Sequence, residues 1–225
     1  MSDYKYVLLE KDPVEHIARL TINRPDRRNA LNDAATDEMG MALEDVADDD
    51  DIRVLILTGA GGSFCAGADL NTLKGGSDPG VLTSENSDDI RRGFRGPHKM
   101  ILAVQRMEKP VIAMIDGTAV GAGFDLACAC DIRIATQKAS FMVAYIRVGL
   151  FPGFGGTWLY PRTLGSMGKA AELLFTGDFL PADEAYRLGF LNRLVDSEDL
   201  ESTTMEMARK IAAGPPVAMR LSKLM

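Results

Sequence analysis

Apolar runs with strand character recur along the first half of the chain, separated by stretches with helical spacing. Ile17–Ile22 alternates apolar and polar residues, and residues 7–9 form a shorter run, which predicts two strands. Residues 52–58 and Val111–Ile115, and more weakly 132–135, are dominated by β-branched residues and leucine, a pattern typical of strands buried on both faces. Repeated strand–helix units of this kind predict an α/β core with right-handed crossovers.

Helical patterns lie between the predicted strands and fill the second half. Asn32 is placed to cap a helix that runs to about residue 47, because Met39 and Leu43 recur at helical spacing after it. A polar helix is predicted at about 84–108, after a glycine-rich loop. Further helices are predicted at about 157–164, 167–175, 181–187 (with Pro181 at its first position), 200–213 and 215–225.

Composition and charge exclude several classes of function. The formal net charge of −7 argues against nucleic-acid binding, because phosphate backbones attract basic surfaces. The chain has no apolar run near the roughly 20 residues that a membrane span requires. Its first residues show neither a signal peptide nor an Arg-rich transit pattern, so we expect a cytoplasmic protein.

Cysteine and histidine usage does not indicate a metal site or a disulfide framework. The three cysteines are Cys65, Cys128 and Cys130, and the last two lie two positions apart in a predicted helix, where they face different directions. His16 and His98 are the only histidines. We therefore predict buried thiols and no metal.

Two turns of small residues carry the main chemical signal. Residues 62–70 and 116–126 each follow a predicted buried strand and open into a helix-like stretch, an arrangement that leaves backbone N–H groups free. If the turns converge, the amides of Ala68 and Ala122 form an anion-stabilising hole, which favours acyl chemistry through an enolate. Close packing of helix and strand also needs small residues and is the alternative explanation for either turn alone.

Candidate acid–base residues lie near the second turn. Asp125 is three residues past Ala122 and could act as a general acid or base, or it could simply match the helix dipole. Asp69 fits that structural explanation better still. A phosphate loop at residues 153–157 is less economical than a close-packed turn, because the P-loop lysine is missing. Arg28 could bind phosphate, although a lone arginine usually only solvates a surface.

Taken together, the motifs resemble those of the crotonase, or enoyl-CoA hydratase/isomerase, superfamily, in the same order and over nearly the whole chain. The resemblance implies an α/β fold, a crotonase-like ββα spiral core over residues 1–195, and a helical region over 196–225. Relatives usually continue by some tens of residues, so this region is expected to be shortened. The motifs are Asn23-Arg24-Pro25, Asn29-Ala30-Leu31, Ala66-Gly67-Ala68-Asp69, Gly117 with Gly121-Ala122-Gly123, Cys130-Asp131-Ile132-Arg133, Pro152 with Gly155-Gly156-Thr157, Ala182-Glu184-Ala185, and Gly189-Phe190-Leu191-Asn192.

By the same resemblance, the substrate is an acyl-CoA thioester, and coenzyme A enters as part of it, with no separate cofactor. The amides of Ala68 and Ala122 would polarise the thioester carbonyl. Ala66 would contact the adenine, and the region around Arg28 the CoA phosphates. The other implied substrate-binding or CoA-binding residues are Ala30, Asp69, Leu70, Gly121 and Pro152. The assembly would be a homotrimer or a dimer of trimers.

Two positions depart from the hydratase pattern. The pattern has glutamates where this chain has Asp125 and Tyr145, and aspartate is shorter by one methylene, about 1.5 Å of reach. Tyrosine is a poor base at neutral pH but a good hydrogen-bond donor. Some isomerase relatives carry an acid where this chain has Gly153, and some decarboxylase relatives carry tyrosine at the position of Tyr145.

The leading hypothesis is therefore an enoyl-CoA hydratase in which Asp125 moves the proton or activates water and Tyr145 positions the substrate or water. An isomerase or a decarboxylase would keep the same oxyanion hole with different chemistry. A catalytically silent subunit that binds CoA esters is the alternative from another class, since function does not follow from fold alone.

Overall fold

The fold was derived from a computed structural model, which describes residues 4–69 and 95–224. The predictions for Leu70, for the glycine-rich loop and for the first part of the helix at 84–108 lie outside these residues. The strands are β1 (Val7–Asp12), β2 (Ile17–Ile22), β3 (Val54–Gly59), β4 (Val111–Ile115), β5 (Thr118–Val120), β6 (Ile132–Thr136), β7 (Ser140–Met142), β8 (Phe179–Pro181) and β9 (Arg193–Val195).

The larger sheet has the strand order β1-β2-β3-β4-β6-β9. The β1–β2 pair is antiparallel, and the other neighbours are parallel, with Ile17 opposite Val54 and Ile112 opposite Ile132. The predicted strands of the first half therefore all belong to this sheet. Its parallel strands, joined through helices, confirm the predicted α/β class.

A second, smaller sheet has the order β5-β7-β8 and was not predicted from the sequence. Each of its strands is only three residues long, which is too short for an alternating pattern to show. Isolated bridges link Leu31 to Ala68 and Cys65 to Ala119. The small sheet and these bridges thus hold both small-residue turns in place.

The helices confirm most of the predicted pattern. Asn32 caps the first helix as expected, since its side chain accepts a hydrogen bond of 2.9 Å from the Ala35 amide. The prediction for Pro181 was wrong by one position: it ends β8 and precedes the first helical residue, Ala182. The helices are α1 (Asp33–Asp48), α2 (Arg95–Arg106), α3 (Ala122–Ala129), α4 (Gly156–Thr163), α5 (Met167–Thr176), α6 (Ala182–Arg187), α7 (Leu200–Ala212) and α8 (Pro216–Leu224).

The larger sheet separates two apolar clusters. Leu55 and Leu57 of β3 point into one cluster, and Val54 and Ile56 point into the other, so β3 is buried on both faces as predicted. The second cluster is closed by α7, which belongs to the predicted C-terminal region. A domain boundary near residue 195 stays a prediction. Of the described helices, none is long and apolar enough to cross a membrane.

Candidate functional site

A buried asparagine fixes the loop that follows β2 onto the turn that follows β3. The Asn29 side chain is fully buried, and its Nδ2 donates hydrogen bonds to the carbonyls of Ala60 at 2.8 Å and Ser63 at 2.7 Å. Its Oδ1 accepts a bond of 2.9 Å from the amide of Arg24. Asn29 adopts a left-handed backbone, with φ of 59°, which asparagine tolerates better than most residues. The sequence reasoning named Asn29 in a motif but missed this role.

The first small-residue turn presents the amide of Ala68. The Leu31 amide donates to the Gly67 carbonyl at 2.7 Å, and the Asp69 amide donates to the Leu31 carbonyl at 2.8 Å. In such a parallel bridge the intervening amide points away from the partner segment. Within residues 4–69 and 95–224, the Ala68 amide accordingly has no backbone acceptor. It is therefore available to another group.

The second turn presents the amide of Ala122 at the N-terminus of α3. Gly121 precedes it with φ of 52°, a left-handed conformation that glycine adopts without strain. The Gly121 amide bonds the Met142 carbonyl at 2.8 Å, and the Asp125 amide bonds the Gly121 carbonyl at 3.0 Å. In the described part of the chain, no backbone carbonyl accepts from the Ala122 amide. The Ala122 amide lies at a helix end, where the helix dipole favours negative charge.

Glycines bring the two turns into contact. A Cβ on Gly67 would lie 2.6 Å from the carbonyl oxygen of Val120 and 3.5 Å from the amide nitrogen of Ala122. A Cβ on Gly123 would collide with the carbonyl oxygen of Cys65. Since Gly67 directly precedes Ala68, the two free amides belong to turns that touch. The two turns are therefore in contact, and the convergence of their amides on one anion stays a prediction.

Asp125 lies on the first turn of α3, and its side chain is fully buried. The hydroxyl of Tyr145 donates a hydrogen bond of 2.5 Å to its Oδ2. Burial raises the pKa of Asp125 to about 7, and donation by Tyr145 and by Tyr160 opposes that rise. The carboxyl can therefore hold or release a proton near neutral pH.

Tyr145 is the hydrogen-bond partner of Asp125 and is itself buried. It belongs to a short 3-10 helix, Ala144–Val148, and its ring packs beside Gly121, where a Cβ would lie 3.8 Å from the ring carbon Cζ. The side chain is 8% exposed, whereas Asp125 is 0% exposed. Burial and the neighbouring carboxyl raise the pKa of Tyr145 well above its ordinary value, so the phenol stays protonated. The phenol is thus a neutral donor to the buried carboxyl.

The residues expected to bind CoA lie around the first turn. Arg28 is exposed and has a left-handed backbone, with φ of 50°. Its carbonyl accepts a bond of 2.9 Å from the amide of Ala66, and both Ala66 and Ala30 are half-buried. Asp69 forms an ion pair of 3.0 Å with Arg24, which supports its structural role. Arg28 and Ala66 thus lie side by side on one surface of the turn.

The remaining predicted residues have simpler surroundings. Pro152 is half-buried and precedes Gly153, whose carbonyl lies 2.7 Å from Nε2 of His98. All three cysteines are free and buried. Among the residues that the structure describes, no group of three or more His, Cys, Asp or Glu side chains is arranged to hold a metal ion. These features leave the two amides and the Asp125–Tyr145 pair as the chemically distinctive groups.

Sequence reasoning missed Tyr160 and the role of Gly156. Tyr160 is fully buried on α4, and a Cβ on Gly156 would lie 2.5 Å from Oδ1 of Asp125. The glycine pair 155–156 was interpreted only as a close-packed turn, which the start of α4 at Gly156 confirms. The sequence does show a tyrosine, Tyr160, one helical turn after Gly156, but this spacing does not indicate that either residue contacts Asp125.

Comparison with known proteins assigns the family. A family model described as enoyl-CoA hydratase/isomerase matches residues 13–225. A short-chain-enoyl-CoA hydratase of Clostridium acetobutylicum is 41% identical over 219 residues, which cover 96% of this chain and 79% of that protein. A 1,2-epoxyphenylacetyl-CoA isomerase of Escherichia coli is 39% identical over 207 residues, 92% of this chain and 77% of that protein.

A solved structure agrees with this assignment. The crystal structure of an enoyl-CoA hydratase from Bacillus anthracis superimposes with a TM-score of 0.87 at 34% identity, covering 98% of this chain and 81% of that one. The similarity in sequence therefore extends to the arrangement of the sheets and helices. The chain belongs to the enoyl-CoA hydratase/isomerase, or crotonase, family.

Proposed function

We propose that this enzyme adds water across the double bond of an enoyl-CoA thioester. The observation that carries the proposal is that the amides of Ala68 and Ala122, which donate to no backbone carbonyl of the described residues, lie on touching turns, with the buried Asp125–Tyr145 pair one helical turn from Ala122. The relative named short-chain-enoyl-CoA hydratase supports the same reaction.

The two amides supply electrostatic stabilisation. The thioester oxygen accepts hydrogen bonds from Ala68 and Ala122, which polarises the conjugated double bond toward attack at C3. When the water oxygen bonds to C3, the π electrons move to C2 and the thioester oxygen, and an enolate forms. The N-terminus of α3 favours that negative charge.

The Asp125–Tyr145 pair transfers the proton of the attacking water to C2 of the substrate. As water attacks, the Tyr145 hydroxyl takes a proton from it and passes its own to the Asp125 carboxylate through their 2.5 Å hydrogen bond. When the enolate collapses, the proton returns through the same pair to C2. The product gains a hydroxyl at C3 and a hydrogen at C2, which together make one water molecule, and no other reactant is consumed.

Double-bond isomerisation is the second candidate. Asp125 is the carboxyl that the described site offers, and one carboxyl is enough to carry a proton between two carbons of a substrate. The matching family model, described as enoyl-CoA hydratase/isomerase, supports this candidate. It needs the same oxyanion hole but no water.

Spectrophotometry with a short trans-2-enoyl-CoA tests the proposal. Hydration removes the conjugated thioester absorbance and, in D2O, places deuterium at C2 of a 3-hydroxyacyl product. Isomerisation to a 3-enoyl-CoA also removes the absorbance, but mass spectrometry then finds no added water. A purified, folded protein that leaves the enoyl-CoA unchanged would refute both candidates.

Several finer features are proposed on the family resemblance alone. Arg28, Ala30, Ala66, Leu70 and Pro152 are proposed to bind the CoA moiety or the acyl group. The enzyme is proposed to assemble as a homotrimer or a dimer of trimers and to act in fatty-acid metabolism in the cytoplasm. Its reaction as written needs no cofactor besides the CoA of the substrate. Binding of CoA by the variant Arg28→Ala, measured by calorimetry, tests the first of these.

A further inference from the structure

We propose that Tyr160 is a positioning residue that holds the second oxygen of the Asp125 carboxyl, in a space that exists only because residue 156 is glycine. Tyr145 bonds Oδ2 of the same carboxyl. The catalytic consequence rests on the proposed function, but the contact itself does not depend on it.

The ring of Tyr160 is held rigidly. The residue lies on α4, its side chain is fully buried, and its ring stacks on that of Phe124 with centroids 4.9 Å apart and 23° between the planes. Phe124 directly precedes Asp125 on α3. The stacking thus anchors α4 to the turn that carries the carboxyl.

Gly156 leaves the space in which the carboxyl and the ring meet. A Cβ at this position would lie 2.5 Å from Oδ1 of Asp125 and 2.5 Å from Cζ of Tyr160, the carbon that bears the hydroxyl. The backbone of Gly156 is not left-handed, so its conformational freedom is not what the position requires. The absence of a side chain is the requirement.

Two buried polar atoms lie at this spot without a well-formed partner. Neither Oδ1 of Asp125 nor the hydroxyl of Tyr160 receives or donates a hydrogen bond of regular geometry from any described residue. Both groups nonetheless border the same small space, since Oδ1 of Asp125 and Cζ of Tyr160 each lie 2.5 Å from the position of a Cβ on Gly156. Leaving both atoms unpaired in the interior is unfavourable, and they are chemically matched, since the hydroxyl can donate and the carboxyl oxygen can accept.

This second donor has a defined chemical effect. The titratable groups of the described residues that interact with Asp125 are Tyr145, Tyr160 and the buried thiol of Cys128. Donation by a phenol favours the ionised carboxylate, so Tyr160 lowers the pKa of Asp125 against the effect of burial. Without the hydroxyl, that pKa rises above about 7 and less carboxylate is present at neutral pH.

The test is the titration of Asp125 in the full-length protein without substrate. Infrared difference spectra follow the band of the protonated carboxyl, assigned by its loss in Asp125→Asn. In Tyr160→Phe we expect the band to persist to higher pH. The acid limb of kcat/KM for enoyl-CoA hydration should shift the same way, with about a tenfold loss at pH 6 and a smaller one at pH 9.

Phe190→Leu is the matched control. Phe190 packs edge-on against Phe124 in the same aromatic cluster but carries no hydroxyl, so its loss should lower the melting temperature without moving the titration. If Tyr160→Phe does not fold, Gly156→Ala, which forces the carboxyl away from Tyr160, provides the same titration readout. If the titration of Asp125 is unchanged in whichever of these variants folds, the inference is overturned. If the titration shifts but the protein has no hydratase activity, only the proposed function is overturned.

Discussion

The two small-residue turns each carry an aspartate beside a free amide, and the two aspartates have opposite surroundings. Asp69, next to Ala68, pairs with the guanidinium of Arg24, and about a tenth of each side chain is exposed. Asp125, on the same turn of helix as Ala122, is fully buried and faces the hydroxyls of tyrosines. A cation fixes the first carboxylate as a structural anion, whereas neutral donors leave the second able to exchange a proton. Position beside an oxyanion hole therefore does not decide the role of an acid; its partner does.

The largest expected effect comes from removing an amide of the proposed oxyanion hole. Ala122→Pro eliminates the N–H at the first position of α3, where proline is compatible with a helix. We expect kcat for hydration to fall about 10²–10³-fold. Ala122→Gly keeps the amide and should retain most of the activity. Equal losses in both variants would show that the side chain, and not the amide, matters.

The second expected effect is on stability as a function of pH. Burial raises the pKa of Asp125 from its unfolded value of 3.8 to about 7. The contribution of Asp125 to the free energy of unfolding is therefore fully present below about pH 4. It is lost as the pH rises through about 7, at up to about 1.4 kcal/mol per pH unit. Urea unfolding should show the wild type losing stability relative to Asp125→Asn over this window. Parallel pH profiles of the two proteins would contradict the raised pKa.

Asp69→Asn is expected to act mainly on stability. It leaves Arg24 without its carboxylate in a site that is largely buried, which should lower the free energy of unfolding by about 2 kcal/mol. Any loss in kcat should stay within about tenfold, because Asp69 does not exchange the proton. Urea unfolding and steady-state kinetics on the same preparation separate the two effects. An unchanged stability would mean that the Arg24–Asp69 pair does not hold the turn.

The smallest expected effect is that of Tyr145→Phe. It removes the donor to Oδ2 of Asp125 and the proton path through the hydroxyl, but it keeps the ring beside Gly121. We expect kcat to fall by only about tenfold, because a water molecule that fills the space of the hydroxyl can relay the proton to Asp125. The acid limb of kcat should move to higher pH, because the ionised carboxylate loses a hydrogen bond. Tyr186→Phe, at an exposed tyrosine on α6, is the control. A Tyr145→Phe enzyme with normal kcat would assign the proton transfer to another group.

Local signals in the sequence predicted most of the larger sheet and the helices. The alternation of Ile17–Ile22, the apolar run Val111–Ile115 and the cap at Asn32 each predicted an element that the structure confirms. The second sheet was not predictable in this way, because strands of three residues are set by long-range pairing. Thr118 lies opposite Ser140, and Ser140 lies opposite Pro181, residues far apart in the chain.

The features of the candidate site likewise fall into those that local sequence predicts and those that depend on long-range packing. Small residues after buried strands indicated the amides of Ala68 and Ala122, since the pattern that frees an amide is local. The surroundings of Asp125 are not local. Tyr160 and Gly156 meet it only because α4 packs on α3, and nothing in their own segment indicates that contact.

The central claim is that the buried aspartate beside the second turn, and not the ion-paired one beside the first, carries the proton. The most direct measurement compares kcat for hydration of a short trans-2-enoyl-CoA by the wild type, Asp125→Asn and Asp69→Asn, with thermal melts of the same samples. The expected result is hydration by the wild type and a loss of at least about a hundredfold in Asp125→Asn, with a melting temperature no lower than that of the wild type. Asp69→Asn should have a lower melting temperature and retain most of its kcat. Wild-type kcat in Asp125→Asn would contradict the claim.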